Sequence, residues 1–255
     1  MSGAVKERLK SVKSLVPYGT RLLDVGSDHA ALPLSLFSDN KITSAVISDI
    51  NGKPLERARS EAAKSLFYEK CIFVLSDGFD SIDPGTFDTA AVCGMGGMLI
   101  SSVIERGILN GRLKKEHILV IQPMTDVHTV RKCLWDNGYE ITDEIFSIEG
   151  SYDADHTKNK AKPYVVMKAE YDGEKRGYTF ADLLLGKERV NTMAFCCFKE
   201  KTKRMLSNKL KGILISFKQR KIKDKRKYYL NGSLNRLKSC GNRPFKDHLR
   251  KKLLK

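Results

Sequence analysis

A regular alternation between short apolar runs and amphipathic runs is the feature of this sequence that most constrains its fold. Five apolar runs have the length of buried strands: RLLDVG, TSAVISDI, CIFVLSDG, FDTAAVCG and HILVIQP. Four other stretches have apolar residues at helical spacing: Leu32–Phe37, Pro54–Phe67, Met98–Arg106 and Val127–Asn137. Continuous apolar strands separated by helices predict a mostly parallel sheet with helices on both faces. The predicted fold class is therefore α/β, a doubly wound domain.

Both ends of this alternation predict further elements. Four apolar residues share one face of a predicted opening helix: Val5, Leu9, Val12 and Val16. Two strands, 139–150 and 162–171, follow one another with no helix between them, which predicts an antiparallel hairpin at the end of the sheet. From Thr179 onward, two leucine-rich stripes flank the charge run KQRKIKDKRK and predict a basic helical hairpin. The predicted domains are residues 1–173 and 174–255.

The net charge of +16 is concentrated in one part of the chain. Residues 201–255 hold 20 Lys and Arg against two Asp, a local charge of +18, which leaves −2 for residues 1–200. A near-neutral body with a strongly basic end is typical of a protein that binds a polyanion. A basic surface that only faces solvent is the alternative, but a charge of +18 in 55 residues favours RNA binding. The charge run supplies five candidate substrate-binding residues: Lys218, Arg220, Lys221, Lys223 and Arg226.

Composition indicates the class of protein and its compartment. No run approaches the ~20 apolar residues of a membrane span, and the N-terminus MSGAVKERLK lacks the apolar core of a signal peptide. The six Cys residues form no Cys-x-x-Cys pair, as expected of free thiols, and we predict no metal site. We therefore expect a soluble cytoplasmic protein that is a monomer.

Acidic residues and glycines collect where the predicted strands end, which is the edge where open α/β sheets bind ligands. In chain order these candidate ligand-binding residues are Asp24, Gly26, Ser27, Asp49, Asp77, Gly78, Gly94, Met95, Gly96 and Gly97. A dinucleotide fingerprint G-x-G-x-x-G would need a glycine at Asp28, where a carboxylate would repel a diphosphate. A nucleoside with a positive centre and no phosphate would instead be attracted. S-adenosylmethionine is such a ligand.

Two of these carboxylates have specific predicted roles. Asp49 is placed to accept hydrogen bonds from both ribose hydroxyls, and Asp77 is placed to accept one from the adenine amino group. Both have structural alternatives, since Asp49 can serve as a turn residue before Pro54 and Asp-Gly is a common turn. The glycines after the fourth strand can likewise form a tight strand-to-helix turn without any ligand.

Five motifs, in this order and spacing, resemble the bacterial TrmK family of tRNA (adenine-N1) methyltransferases: LLDVGSDHAALPL, ISDI, LSDGFD, CGMGGMLI and LVIQP. The resemblance extends from the first helix to about Tyr171, and the basic C-terminus is similar in kind to the family's helical hairpin. It implies a class I (Rossmann-like) enzyme that uses S-adenosylmethionine to methylate N1 of an adenine on the D-arm side of the tRNA core. Two residues depart from the family's pattern: Cys93 replaces the usual Ala, and Met124 replaces an Asn after Gln122-Pro123.

The chemistry implied by this resemblance needs no activated nucleophile, because adenine N1 already carries an in-plane lone pair. Catalysis then depends on alignment and electrostatics. Asp28 and His29 are the predicted catalytic residues, since they can stabilise the cationic product or take a proton from its amine. A helix cap at Asp28 and a packed imidazole at His29 are the structural alternatives.

Substrate contact is predicted for Gln122 and Pro123, and Met124 removes an amide beside them. Two other functions stay open. One is a class I methyltransferase with another substrate, and the other is an RNA-binding homologue with impaired catalysis.

Overall fold

The computed structural model describes residues 7–27, 29–150, 162–187 and 192–239, and side chains of the last range only as far as residue 216. Seven strands form one sheet: β1 (Thr20–Val25), β2 (Ile42–Asp49), β3 (Cys71–Leu75), β4 (Thr89–Gly96), β5 (Ile118–Thr125), β6 (Tyr139–Glu149) and β7 (Lys162–Tyr171). The strand order is β3-β2-β1-β4-β5-β7-β6. Strands β1 to β5 are parallel, and β7 is antiparallel to β5 and β6. This confirms the predicted mostly parallel sheet with a terminal antiparallel hairpin.

Helices cover both faces of the sheet. They are α1 (Glu7–Leu15), α2 (Ala31–Ser38), α3 (Gly52–Ala62), α4 (Gly97–Leu109), α5 (Val127–Asp136), α6 (Phe180–Leu185) and α7 (Met193–Ser239). The first three pack on one face through an apolar cluster that includes Val12, Leu36 and Leu55. Helices α4 and α5 pack on the other face through Ile104 and Leu134. Because the central strands are covered on both sides, their sequences are continuous apolar runs.

Strand β1 lies at the point where the sheet changes its direction of growth. The chain adds β2 and β3 on one side of β1, then crosses to add β4 and β5 on the other side. Ligands of open α/β sheets bind at the carboxyl ends of the strands beside such a switch point. The turn after β1 and the glycines that end β4 therefore lie on either side of the same crevice.

Helix α3 ends at Ala62, five residues before the predicted end at Phe67. The Ser65 hydroxyl donates to the Ala62 carbonyl oxygen at 2.7 Å and accepts from the Phe67 backbone N–H at 3.2 Å. A serine that bonds nearby backbone groups competes with the helical hydrogen-bond ladder. The turn lets the Phe67 ring stack on Phe37, with ring centroids 5.1 Å apart.

By its internal contacts the chain divides into two compact units, residues 1–201 and 202–255. Within the second unit, α7 continues as one helix through the charge run as far as Ser239. The predicted helical hairpin, with its turn beside that run, is therefore wrong for these residues. The run contains neither Pro nor Gly and is rich in Lys and Arg, which are good helix formers. The proposed functional boundary after residue 173 stays a prediction.

Candidate functional site

The turn after β1 is shaped by a left-handed glycine and by hydrogen bonds to β2. Gly26 has φ +75°, and the backbone N–H groups of Gly26 and Ser27 both donate to the Ser48 carbonyl oxygen, at 2.8 and 3.0 Å. A Cβ on Gly26 would lie 2.2 Å from the Met95 side chain, which therefore packs directly over this turn. The Met95 side chain, from β4, thus lies against the turn that follows β1.

Asp24, on β1, is a buried carboxylate at the centre of the sheet. It lies in register with Ile47 of β2 and Ala91 of β4, and it is 6% exposed. Burial raises the pKa of Asp24 to about 6, although a hydrogen bond from Ser27 opposes the shift. The carboxylate is therefore ionised at neutral pH only at a cost in desolvation, which a bound cation would reduce.

Asp49 ends β2 and performs the turn role considered from the sequence. Its Oδ1 accepts from the Asn51 backbone N–H at 2.7 Å, and its backbone carbonyl accepts from Ser76 N–H at 3.0 Å. In the described part of the chain its Oδ2 has no hydrogen-bond partner. The turn role uses one carboxylate oxygen and leaves the other available to a ligand.

Asp77 lies at the end of β3 and pairs with a cation of α4. The Arg106 guanidinium is 2.7 Å from Asp77 Oδ1 and 3.1 Å from Asp80 Oδ1. Gly78 has φ +62°, and a Cβ there would lie 2.6 Å from the Val103 side chain. The predicted contact of Asp77 with adenine therefore competes with the ion pair to Arg106. The positive φ of Gly78 and its contact with Val103 are enough to explain a glycine there.

The three glycines at the junction of β4 and α4 have separate physical requirements. Gly94 has φ +81°, a left-handed conformation that favours glycine. A Cβ on Gly97 would lie 2.4 Å from the Asp126 carbonyl oxygen, and one on Gly96 would lie 3.3 Å from Thr125 Oγ1. At Gly97 the two backbones approach too closely for a side chain, which explains this glycine without a ligand, whereas the contact at Gly96 is only a tight fit against a side chain.

His29 lines a cavity beside α3. The other lining residues extend along almost the whole of α3: Gly52, Lys53, Glu56, Arg57, Ser60 and Glu61. Lys64 and, less strongly, His29 lower the pKa of Glu61. His29 has φ +71° and Ala30 has φ +51°, so the turn is strained on both residues. Asp28 lies outside the described residues.

Gln122 is fully buried, and its amide is engaged within the protein. Its Oε1 accepts from Arg8 Nη1 at 2.7 Å, and its Nε2 donates to the Pro123 carbonyl oxygen at 2.9 Å. The Gln122 Nε2 also lies 3.7 Å from the Met124 sulfur. Gln122 therefore organises the end of β5, while Met124, 39% exposed, presents the accessible surface there.

Arg8 is the residue of this region that sequence reasoning missed. It lies on α1 and reaches the ends of both β4 and β5, because a Cβ on Gly94 would be 3.9 Å from Arg8 Nη1. The helical pattern of α1 identified only its apolar face. Arg8 and Gln122 are 114 residues apart, and no local pattern connects them.

Thr125 and Asp126 were also missed. The Thr125 hydroxyl donates to Asp126 Oδ2 at 2.9 Å, and Asp126 adopts a left-handed conformation with φ +49° before α5. An Asp at the predicted start of a helix reads as an ordinary cap, so only the backbone angle distinguishes it.

The five predicted RNA-contacting residues all lie in α7: Lys218, Arg220, Lys221, Lys223 and Arg226. Their side chains lie outside the described part of the chain, so their role stays a prediction. Within the described ranges, no helix is long and apolar enough to cross a membrane, and no group of three or more His, Cys, Asp and Glu is placed to hold a metal ion.

Known proteins are similar to this chain in both sequence and fold. Residues 5–152 match the model of the methyltransferase domain family. The tRNA (adenine(22)-N(1))-methyltransferase of Bacillus subtilis (strain 168) is 28% identical over 182 residues, which are 71% of this chain and 71% of that protein. The chain belongs to the TrmK group of the methyltransferase domain family.

Solved structures of TrmK proteins extend this similarity to three dimensions. The crystal structure of Bacillus subtilis TrmK is 27% identical with a TM-score of 0.67, and the match covers 80% of this chain and 83% of that one. A Streptococcus pneumoniae protein assigned as a tRNA (m1A22) methyltransferase, solved with S-adenosyl-L-methionine, is 27% identical with a TM-score of 0.68. That match covers 80% of this chain and 90% of the other.

The family match includes the ends of strands β1 to β5, where the candidate ligand-binding residues lie. It begins before α1 and extends past the end of β6, so it includes Arg8 as well as Gln122. It ends before α7. The methyltransferase assignment therefore concerns the sheet and its crevice, and the basic helix needs a separate argument.

Proposed function

We propose that this protein transfers the methyl group of S-adenosylmethionine to N1 of adenine 22 in tRNA. The family match across the strand-end crevice carries the proposal. The Bacillus subtilis relative is named for this reaction, and the Streptococcus pneumoniae relative was solved with this cofactor.

The chemistry of the strand-end residues fits a cationic nucleoside. Asp49 offers a carboxylate oxygen to ribose hydroxyls, and Asp24 brings a second negative charge close to the crevice. The left-handed glycines Gly26 and Gly94 bring backbone to the crevice with no side chain. When bound, S-adenosylmethionine supplies an electrophilic methyl group on a positively charged sulfur.

The residues of this chain contribute alignment and electrostatics. The lone pair of adenine N1 attacks without a general base, and the product base is cationic. A carboxylate near that base stabilises the positive charge or takes a proton from the exocyclic amine. Asp28 is the stronger of the two catalytic candidates, because His29 lies against α3.

Replacing Asp28 with Ala tests this assignment. We expect S-adenosylmethionine to bind within about threefold of the wild-type affinity, while the single-turnover rate falls about 100-fold, the usual range for loss of one acid–base group. Rapid-quench measurement with saturating tRNA reports the rate, and Asp143→Ala, an exposed change on β6, is the control. An unchanged rate would remove Asp28 from the mechanism.

The basic α7 supplies the tRNA-binding surface of the proposal. Phosphate contacts by Lys and Arg release counterions and offset the cost of unstacking the target base, which is about a few kcal/mol. We further propose that the protein acts in the cytoplasm as a monomer.

The decisive experiment incubates the protein with labelled S-adenosylmethionine and an unmodified tRNA transcript. We expect 1-methyladenosine, identified by mass spectrometry of the digested RNA. The matched substrate carries guanine in place of adenine 22 and is expected to stay unlabelled. Equal labelling of both transcripts would contradict the proposed position.

One observation favours a second function, an RNA-binding homologue with impaired catalysis. The resemblance to TrmK implies an Asn at position 124, and the exposed Met124 at the end of β5 offers the base no such polar contact. Binding of tRNA without methylation, by protein that still binds S-adenosylmethionine, would support this alternative. If the Met124→Asn variant methylated tRNA and the wild type did not, the defect would lie at that residue.

A further inference from the structure

Asp126 occupies the N-cap position of α5, but its carboxylate does not cap that helix. Its backbone carbonyl oxygen accepts from the Thr129 N–H at 2.9 Å and so begins the helix. An Asp at an N-cap normally accepts a hydrogen bond from the first turn through its side chain, and Asp126 makes no such bond. Its Oδ2 instead accepts from the Thr125 hydroxyl at 2.9 Å. The ordinary structural role of an Asp at this position is therefore not the role of this side chain.

The backbone of Asp126 is also unusual for a residue that starts a helix. Its angles, φ +49° and ψ +42°, are left-handed, whereas N-cap residues are typically extended. For a residue with a side chain this conformation costs about 1 to 2 kcal/mol, although Asp adopts it more readily than most. Strained backbone of this kind is found mainly at functional sites, where the surrounding structure maintains it.

The Thr125 hydroxyl places the Asp126 carboxylate beside the end of β4. The Oγ1 that donates to Asp126 also lies 3.3 Å from the position that a Cβ on Gly96 would take. Gly96 is in register with Thr125, and its neighbour Met95 packs over the Gly26 turn after β1. Direct contacts thus connect the ends of β1, β4 and β5, and Gly96 adds no side chain between them. The carboxylate therefore lies at the strand-end crevice.

One carboxylate oxygen of Asp126 is available to a ligand. Among the side chains that the structure describes, Oδ2 is bonded to Thr125 and Oδ1 has no hydrogen-bond partner. Thr125 and the preceding Met124 are both exposed, so a ligand can reach this strand end. An ionised carboxylate accepts hydrogen bonds and donates none. The group that matches it is an N–H donor, such as the exocyclic amine of a base.

We propose that Asp126 accepts a hydrogen bond from the exocyclic amino group of the target adenine and thereby selects adenine at the methylated position. The inference rests on the proposed function, since it concerns the base that receives the methyl group. Adenine carries its amino group next to N1, whereas guanine carries a carbonyl oxygen there, which a carboxylate would repel. Thr125 is a positioning residue, because it holds the other carboxylate oxygen.

The same hydrogen bond contributes to the rate of methyl transfer. As the methyl group binds to N1, the base becomes cationic and its amino group becomes a stronger donor. The bond to a carboxylate therefore strengthens in the transition state, and an interaction of this kind raises the rate of the chemical step.

A tRNA transcript with purine at position 22 tests this contact, because purine keeps N1 and lacks the amino group. Dissociation constants of the adenine and purine transcripts are measured by filter binding with S-adenosylhomocysteine present, so that no methyl transfer occurs. The full-length proteins are the wild type, Asp126→Gly, Asp126→Asn and Thr125→Val. Glycine adopts a left-handed backbone without strain, and Asn tolerates the same backbone and keeps a neutral acceptor. Asp143→Asn, an exposed change on β6, is the control.

We expect the wild type and the control to bind the adenine transcript about 10- to 100-fold more tightly than the purine transcript, the usual worth of a hydrogen bond to a charged group. In Asp126→Gly this preference should fall to within about threefold, through weaker binding of the adenine transcript alone. Asp126→Asn and Thr125→Val should give intermediate preferences, because the first keeps an acceptor without its charge and the second a charge that is no longer held. The kcat/KM for methylation of the adenine transcript should fall in the same order.

An undiminished preference in Asp126→Gly would overturn the inference. Equal weakening of both transcripts would overturn it as well, because Asp126 would then only support the fold at the end of β5. A wild type that binds both transcripts equally would exclude the contact with the amino group, while methylation of the adenine transcript would leave the proposed function standing. A wild type that binds S-adenosylmethionine and tRNA without methylating the adenine transcript would instead overturn the proposed function, and this inference with it.

Discussion

At the scale of single residues, Asp24 shows how burial changes the titration of a carboxylate. The side chain is 6% exposed, and its pKa rises from 3.8 to about 6. The protonated form is favoured by the fold, so the stability associated with it is complete below pH 3.8 and is lost as the pH rises through about 6. At neutral pH the unliganded protein holds a destabilising buried charge.

Replacing Asp24 with Asn removes that charge and should stabilise the unliganded protein. We expect its advantage in the free energy of unfolding to grow between pH 4 and 6 and to level off above, at about 1 to 3 kcal/mol. Denaturant unfolding at several pH values checks this, with the exposed Asp143→Asn as control. The same variant should bind S-adenosylmethionine more weakly. A constant difference across that pH range would contradict the linkage.

Gly97 illustrates a different restriction, which is space. A Cβ at this position would lie 2.4 Å from the Asp126 carbonyl oxygen, a backbone atom that cannot rotate away. We expect Gly97→Ala to destabilise the protein by about 1 to 3 kcal/mol. Gly177→Ala is the control, because no atom lies within 4 Å of a Cβ there. Similar melting temperatures for the two variants would show that the β4 and β5 ends can separate easily.

At the scale of elements, one buried ion pair connects α5, β6 and α6. Arg131 is fully buried, and its Nη2 is 2.6 Å from Glu144 Oε1. Its Nη1 donates to the Leu183 carbonyl oxygen of α6 at 2.8 Å. A Cβ on Gly186 would lie 2.1 Å from Glu144 Oε2, so the chain passes close to this pair as it leaves α6. The pair therefore holds the segment that follows β7 onto the sheet domain.

Removing one partner of this pair should cost more than removing both. We expect Arg131→Ala to lose about 3 to 5 kcal/mol, because Glu144 would be left buried without its cation. Arg131→Met combined with Glu144→Leu should recover most of that loss. Lys132, the residue after Arg131, forms an exposed pair with Asp136. Lys132→Ala breaks that pair and should change the free energy of unfolding by at most about 1 kcal/mol. Unfolding curves of the four proteins distinguish these outcomes.

At the scale of the whole molecule, the charge is separated along the chain. The first 200 residues carry −2 and the rest carry +18. Residues 174–201, including the buried Phe195 and Phe198, belong to the first compact unit. A change that tests RNA binding alone should therefore leave these residues in place and alter only the basic helix.

Neutralising the charge run meets that condition. We expect Gln at the five predicted contact positions to weaken tRNA binding strongly and to reduce the slope of log affinity against log salt by up to about 4, with S-adenosylmethionine binding unchanged. The control carries Gln at five exposed lysines of the first unit: Lys10, Lys64, Lys70, Lys114 and Lys115. Filter binding at several salt concentrations gives both slopes. Equal slopes for the two variants would refute a specific role of α7.

Several features of this protein were accessible from local sequence. Periodicity predicted the strands, most of the helices and the positions where the strands end. The class of cofactor was predicted from the charges at Asp24, Asp28 and Asp49. The end of α3 was missed because a serine side chain terminates that helix. The turn predicted in the C-terminal helix was wrong because two apolar stripes can lie on one continuous helix, and apolar spacing does not reveal whether the chain between them turns.

The sequence by itself determined which residues form most of the elements and which acidic residues and glycines stand at the strand ends, because both depend on neighbours a few positions away. Only the tertiary structure decided that Arg8 meets Gln122, that His29 lies against α3, and that Asp24 is buried enough for its pKa to reach about 6. These facts depend on how helices pack across the sheet. Such packing brings together residues that are far apart in the chain, and no local sequence pattern predicts it.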